Sequence, residues 1–271
     1  MATPTRQPTA GEVATRIINF IGVRTRPNTV DNFLAGDPNT PVTGVIVTMM
    51  ATIDVLHRAV EMGANLVVTH EGVYFNHENA LVEQLVAEDD PVYFAKSRFI
   101  EEYGLVIFHL HDHWHDVRPD GIDYGTLDAL GWQIPDNLTY PATLQVPTTT
   151  LGVLASHVAR SLGANSLRYI GEPDLRVRYV GLALGFRGSD MVRALMRRDD
   201  VDVVLMGEGH EWEIGEYAYD AVALGSPKGL IVIGHIPSEQ QGMAWATKLI
   251  TAGLPGLPVT FVPCADPFRM L

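Results

Sequence analysis

The chain has 271 residues, 46% of them hydrophobic, and nineteen basic against thirty-two acidic side chains give it a net charge of -13. That composition suits a globular protein with a large core, and the acidic balance argues against a nucleic-acid surface or an anionic membrane as partner, which leaves small molecules. The apolar runs 42–51 and 230–233 fall far short of the ~20 residues of a membrane span. A single cysteine, Cys264, permits no intrachain disulfide, and residues 1–10 lack the basic start and apolar middle of a secretory signal. A cytoplasmic protein with a short disordered N-terminal arm is therefore expected.

Thr9-Ala10-Gly11-Glu12 has the spacing of a capping box, and Val13, Ile17, Ile18 and Ile21 recur at helical intervals, so a first helix is predicted over 10–21. A buried strand over 42–50 follows, then a helix over 53–62 stopped by Gly63, and a second strand over 65–70. Phe94, Ala95, Phe99 and Ile100 predict a helix over 92–103, which feeds an apolar strand at 105–110 and, further on, a short helix over 124–130. The Pro- and Thr-rich stretch 135–147 reads as a linker. A second cycle then begins, with helices at 150–162, 189–198 and 211–224 and strands at 177–184 and 201–206. A strand at 230–233, a helix at 237–252 and a strand near 258–262 close the chain. The alternation predicts an α/β fold of mixed, mainly parallel sheets with crossover helices, divided into a first domain of 10–133 plus 230–271 and a second of 134–229.

The apolar run 105–110 ends in His111-Asp112-His113-Trp114-His115-Asp116, and four of the ten histidines, His109, His111, His113 and His115, fall within seven positions. Open α/β sheets place ligands at the carboxyl ends of their strands, and extended alternation would put these four imidazoles on one face. Crowding so much imidazole costs desolvation unless something pairs with it, so a divalent metal site is expected, against a purely structural cluster. His70 ends the strand at 65–70, and His235 and Glu239 stand four apart across the junction between the strand at 230–233 and the next helix. The three stations converge only if their strands share one sheet edge. Nitrogen and oxygen donors without thiolate suit zinc, manganese or iron(II). Gly207-Glu208-Gly209-His210-Glu211 offers Glu208, His210 or Glu211 as acid, base or substrate contact, against a helix start where Glu211 and Glu213 favour the dipole. His77 reads as surface decoration, with the pocket rim as the alternative, and His57 and His157 as ordinary helix residues. No Walker loop, Gly-x-Ser-x-Gly elbow, Cys-x-x-Cys pair or dinucleotide fingerprint occurs.

Thr69-His70, the 111–116 cluster and Gly234-His235-Ile236-Pro237-Ser238-Glu239, in this order, resemble the GTP cyclohydrolase 1 type 2 homologue family, the NGG-interacting-factor-three-like dinuclear metal proteins. The family pattern is a strand ending His-His, a central His-x-x-x-Asp and a C-terminal Gly-His-x-x-x-Glu. Here Thr69 stands at the first histidine. Alignment on Pro119 and Gly121-Ile122 puts Asp116 on the family aspartate and Asp112 on the histidine, and a shift of one residue restores His111. The resemblance implies a metal set of His70, His111, Asp112, His113, Asp116, His235 and Glu239, with Glu239 and Glu208 as the catalytic carboxylates. It also implies two similar α/β domains, a C-terminal segment returning to the first, and a homohexamer. The expected function is metal-dependent hydrolysis of a small polar substrate, nucleotides and phosphoesters included, by a water activated on two divalent ions. The alternative is a non-catalytic metal-binding or scaffold hexamer.

Overall fold

A computed structural model describes residues 6–77, 79–136 and 138–270. The chain forms two compact units, 1–121 with 243–264 and 122–242 with 265–271. Residues 1–5 of the expected arm lie outside the described residues. The rest of it is docked: the Pro8 carbonyl accepts from Val42 N at 2.9 Å and Ala10 N donates to Thr40 O at 2.9 Å.

The first unit holds α1 (Ala10–Ile21), β1 (Phe33–Ala35), β2 (Val45–Thr48), α2 (Ile53–Glu61), β3 (Leu66–Thr69), α3 (Asn79–Ala87), α4 (Pro91–Glu102), β4 (Val106–His109) and the single turn α5 (Asp112–His115). Helix α1 starts where its capping box predicts, with Thr9 and Glu12 satisfying each other's backbone N–H. Its sheet runs β1-β4-β3-β2-β10, with β10 (Val259–Phe261) parallel to β2 and only β1 antiparallel. Strands β2, β3 and β4 are buried at every position, as parallel strands covered on both faces must be.

The second unit begins at the second residue of α6 (Gly121–Ala129) and continues through β5 (Ala142–Thr150), α7 (Leu151–Leu162), β6 (Arg168–Ile170), β7 (Arg176–Phe186), α8 (Ser189–Met196), β8 (Val203–Glu208), α9 (Glu211–Ala223), β9 (Gly229–Val232) and the first part of α10 (His235–Gly253). Its sheet is β5-β7-β8-β9-β6, parallel in the centre and antiparallel at both edges. Alternate residues feed two cores. Val203 and Leu205 pack with Leu154, Val158 and Leu162 of α7, whereas Val204 and Met206 pack with Leu195 of α8 and Ile214 of α9.

Both sheets are therefore mixed and flanked by helices, as the alternation predicts. Three expectations change. The stretch 135–147 is not all linker, because β5 pairs with β7 from Ala142 onward. The strand at 230–233 belongs to the second sheet, where β9 bonds to β8 and β6, and the division falls after 121 and 242 in place of 133 and 229. An apolar run declares that a strand is buried without naming its neighbour. No described helix is long and apolar enough to cross a membrane.

Within the second unit α6 and α10 touch through backbone. Thr126 Oγ1 donates to Ser238 O at 2.8 Å, and a β-carbon on Gly242 would lie 2.5 Å from Ile122 Cα. Gly242→Ala should therefore destabilise the protein by about 1–3 kcal/mol in urea unfolding; an unchanged midpoint refutes this account of the helix contact.

Candidate metal centre

Strands β3 and β4 are in register, with Thr69 opposite His109, so both chains leave the sheet at one level. There His70 Nδ1 lies 3.1 Å from the Leu110 carbonyl, and His109 Nε2 lies 2.8 Å from the His70 carbonyl. The chain after β4 winds at once into α5. Asp31 causes this: its buried carboxylate accepts the backbone N–H of His111 at 2.8 Å, of Asp112 at 2.7 Å and of His113 at 3.0 Å, together with His113 Nδ1 at 2.6 Å. Those are the first donors of a helical turn, which have no partner inside the helix.

On that turn His111 and His115 share a face. The His111 ring stacks on His70 at a centroid distance of 4.7 Å and meets His115 edge-on at 4.7 Å, while His70 and His115 lie 5.0 Å apart. One ligand atom from each of the three falls within 4.8 Å of the others. A second group of the same tightness joins His111 to Glu71 and His77, and His77 Nε2 is 2.5 Å from Glu71 Oε2.

Each of the three imidazoles in the first group turns Nδ1 to an oxygen: Leu110 O for His70, Asp112 Oδ1 at 3.1 Å for His111 and Asp120 Oδ2 at 2.8 Å for His115. These oxygens accept, so Nδ1 carries the proton and the lone pair sits on Nε2, the arrangement that second-shell acceptors impose on metal-binding histidines. Burial holds His70 well below the ordinary histidine range, and the neighbouring His115 and His111 lower it further. Burial and His115 likewise lower His111. Neutral imidazoles beside the Glu71 carboxylate are a donor set that fits a divalent cation.

The structure separates residues that alternation would have grouped. His113 points away from His111 and His115, toward Asp31, because residues two apart on a helical turn face opposite sides. Asp112 stands behind His111 and accepts from Val30 N at 3.2 Å. Burial works to raise its carboxyl, but hydrogen bonds from His111, Thr29 and Val30 leave it below its ordinary value. Asp116 takes a two-pronged contact from Arg26, at 2.6 and 2.5 Å, and that guanidinium holds its carboxyl low. His115, Glu71 and His77 complete the groups in place of Asp112, His113 and Asp116. Glu71 was visible beside His70, whereas Asp31, eighty residues before His111, had no local signal.

The second unit carries its own set. His235 opens α10 with Nδ1 3.0 Å from Glu208 Oε1 and Nε2 3.1 Å from Glu239 Oε2. Glu239 is 3% exposed, so its carboxylate lies buried against that imidazole. The backbone crowds it: any side chain on Gly185 would collide with the Glu239 carboxylate. Glu208 ends β8 and is exposed, His210 is exposed beside Glu213, and Glu211 pairs on the surface with Arg168 at 2.6 Å. The expected common sheet edge is absent, since His235 follows β9 of the second sheet while His70 and His111 follow β3 and β4 of the first. Cys264 is buried against Thr48 and Met50, and burial raises its thiol. His57 lies against Phe99, and His157 bonds to the Leu130 carbonyl.

These features define a two-unit α/β protein whose imidazole and carboxylate clusters can hold metal. The chain belongs to the Duf34/NIF3 (NGG1p interacting factor 3) family, whose model matches residues 30–267. It is 22% identical over 232 residues to a GTP cyclohydrolase 1 type 2 homolog of Clostridium acetobutylicum, covering 82% of this chain and 81% of that one. Its fold is similar to that of a Bacillus cereus protein related to NIF3, with a TM-score of 0.75, 16% identity and coverage of 98% and 100% of the two chains. A Staphylococcus aureus hypothetical protein gives a TM-score of 0.72, 18% identity and coverage of 98% and 100%. The family membership that the sequence resemblance implies thus holds.

Two expected outcomes test this geometry. Asp31→Ala leaves three backbone N–H groups of the 111–113 turn without their acceptor and should cost about 3 kcal/mol in urea unfolding, with Asp31→Asn milder; equal stability of all three proteins would sink the role given to Asp31. Lys96, 9% exposed, donates from Nζ to Val73 O at 2.6 Å and lies 5.4 Å from the Phe75 ring, bracing the loop between Glu71 and His77. Burial lowers its pKa from 10.5 to about 8, against a smaller opposing effect of Cys264. The unfolded chain then binds more protons between these values, so stability rises with pH across that window, by about 3 kcal/mol from this group. Lys96→Met should abolish the rise, measured as the difference in unfolding free energy between wild type and variant at pH 7.5 and 10.

Proposed function

We propose that this protein is a dinuclear metal-dependent hydrolase acting on a small polar molecule, with phosphoesters and nucleotides as the first classes to test. The observation that carries the reading is the His70, His111 and His115 group, three imidazoles with Nδ1 held by oxygen and ligand atoms within 4.8 Å. Glu71 and His77 extend it to a second ligand group that shares His111. From the family pattern we assign a metal-binding role to His235 and Glu239 as well. When bound, divalent ions supply Lewis acidity and lower the pKa of water toward neutrality.

The protein's own residues do the rest. Leu110 O, Asp112 and Asp120 keep the imidazole protons on Nδ1, so the nitrogen donors need no deprotonation on binding. Glu239, buried and 3.1 Å from His235 Nε2, is placed to accept a proton within the site, and Glu208 on the other side of His235 is placed to exchange one with solvent. The acidic net charge does not oppose an anionic substrate, because bound cations dominate the local field. We assign the protein to the cytoplasm as a homohexamer, whose mass in light scattering should be about six times that of the chain.

Purified protein should bind about two divalent ions per chain by elemental analysis. His111→Ala, which touches both ligand groups of the first unit, should lower that content, and Glu239→Gln should reduce turnover of a phosphoester and nucleotide panel at least a hundredfold. Metal bound without turnover of any panel member overturns the hydrolase and leaves a metal-binding scaffold, whereas full metal content in His111→Ala overturns the ligand assignment.

A further inference from the structure

A cavity of about 370 Å³ lies in the second unit, apart from every residue assigned to metal or catalysis. Its floor is Leu130, Val146 and Leu154, each 5% exposed or less, and Trp132, His157 and Arg160 stand around it. The volume falls within the roughly 300–1,000 Å³ of small-molecule sites.

The sequence makes this space in two ways. Pro147 has no N–H, and the pairing of β5 with β7 is irregular between Gln145 and Thr149, so the strand opens beside α7. Helix α7 then presents Val153, Leu154, His157 and Arg160, spaced so that they share one face. His157 Nε2 donates to the Leu130 carbonyl at 2.9 Å, which ties α7 to the turn after α6 and fixes that wall.

Charge distinguishes the cavity from the rest of the molecule. Acidic residues outnumber basic ones by thirty-two to nineteen, yet among the described residues none that lines the cavity is acidic. Arg160, exposed at its edge, has no carboxylate partner among the described residues. A guanidinium beside an apolar enclosure complements a molecule with a flat hydrocarbon body and one anionic group.

We propose that this cavity binds a small aromatic carboxylate, with its ring on the Leu130, Val146 and Leu154 floor beside Trp132 and its carboxylate on Arg160. The proposal is independent of the metal chemistry.

Calorimetry on the full-length protein with 2-naphthoate and its neutral analogue 2-naphthamide tests it. The expected result is saturable binding of naphthoate at one per chain. Arg160→Gln should weaken naphthoate three- to tenfold, as loss of a charge-assisted contact predicts, and leave naphthamide unchanged. Val153→Glu, which brings a carboxylate to the mouth, should weaken naphthoate more than naphthamide. Unchanged melting temperature and metal content in both variants show that the fold and the metal site are intact. Absence of saturable binding overturns the proposal, as does an equal effect of Arg160→Gln on both probes. A drop in the light-scattering mass of Val153→Glu also overturns it, because a second copy of the chain would then be the occupant.

Discussion

The Asp31 carboxylate is the constraint on which the histidine cluster depends. A strand that ended at His109 and continued extended would carry its imidazoles alternately up and down. By collecting three successive backbone N–H groups and one imidazole, Asp31 makes the chain turn within a single residue of the sheet. The turn has helical geometry, and helical geometry brings positions four apart together. His111 and His115 therefore meet each other and His70, while His113 is spent on Asp31 itself. The register of β3 and β4 does the remaining positioning, since Thr69 and His109 face each other across the ladder.

Around this turn the acidic side chains divide by what they oppose. Asp31, Asp112 and Asp120 each meet an imidazole nitrogen, and Asp116 meets the Arg26 guanidinium. None of these four carboxylates belongs to the ligand groups formed by the described residues, which draw their oxygen donor in the first unit from Glu71. Carboxylates that accept from imidazole N–H set the tautomer and raise the basicity of the far nitrogen, so their influence on the site is exerted through the rings. A cluster dense in both residue types thus resolves into an inner layer of nitrogen and an outer layer of oxygen.

The sequence displayed the elements well and their neighbours poorly. Helix α1 was legible from Thr9 and Glu12, and the buried strands from uninterrupted apolar residues, because both signals are local. The 111–116 stretch was legible as a site for the same reason. What it would do in three dimensions was not, because the residue that bends it, Asp31, is eighty positions away. Strand β9 shows the same limit: its apolar residues mark burial, but only pairing with β8 and β6 assigns it to the second sheet. His77 looked decorative because nothing in its neighbours reveals that the loop from Glu71 folds back to bring the two side chains within hydrogen-bonding distance.

Thr69 stands where the sequence resemblance expects the first histidine of the family pattern, and in the structure its side chain has a backbone task. Its hydroxyl is fully buried and donates to the Glu71 carbonyl at 3.0 Å, so the residue serves the turn that aims Glu71 and His77. His115 brings the third ring to the group: its centroid lies 5.0 Å from His70 and 4.7 Å from His111, with Asp120 fixing its orientation. Because His115 rides on the turn that Asp31 builds, the imidazole count of the group does not depend on β3 alone. The three-imidazole group draws one histidine from the residue after β3 and two from the segment after β4, so the carboxylate of Asp31, through the turn it builds, decides where two of its three rings stand.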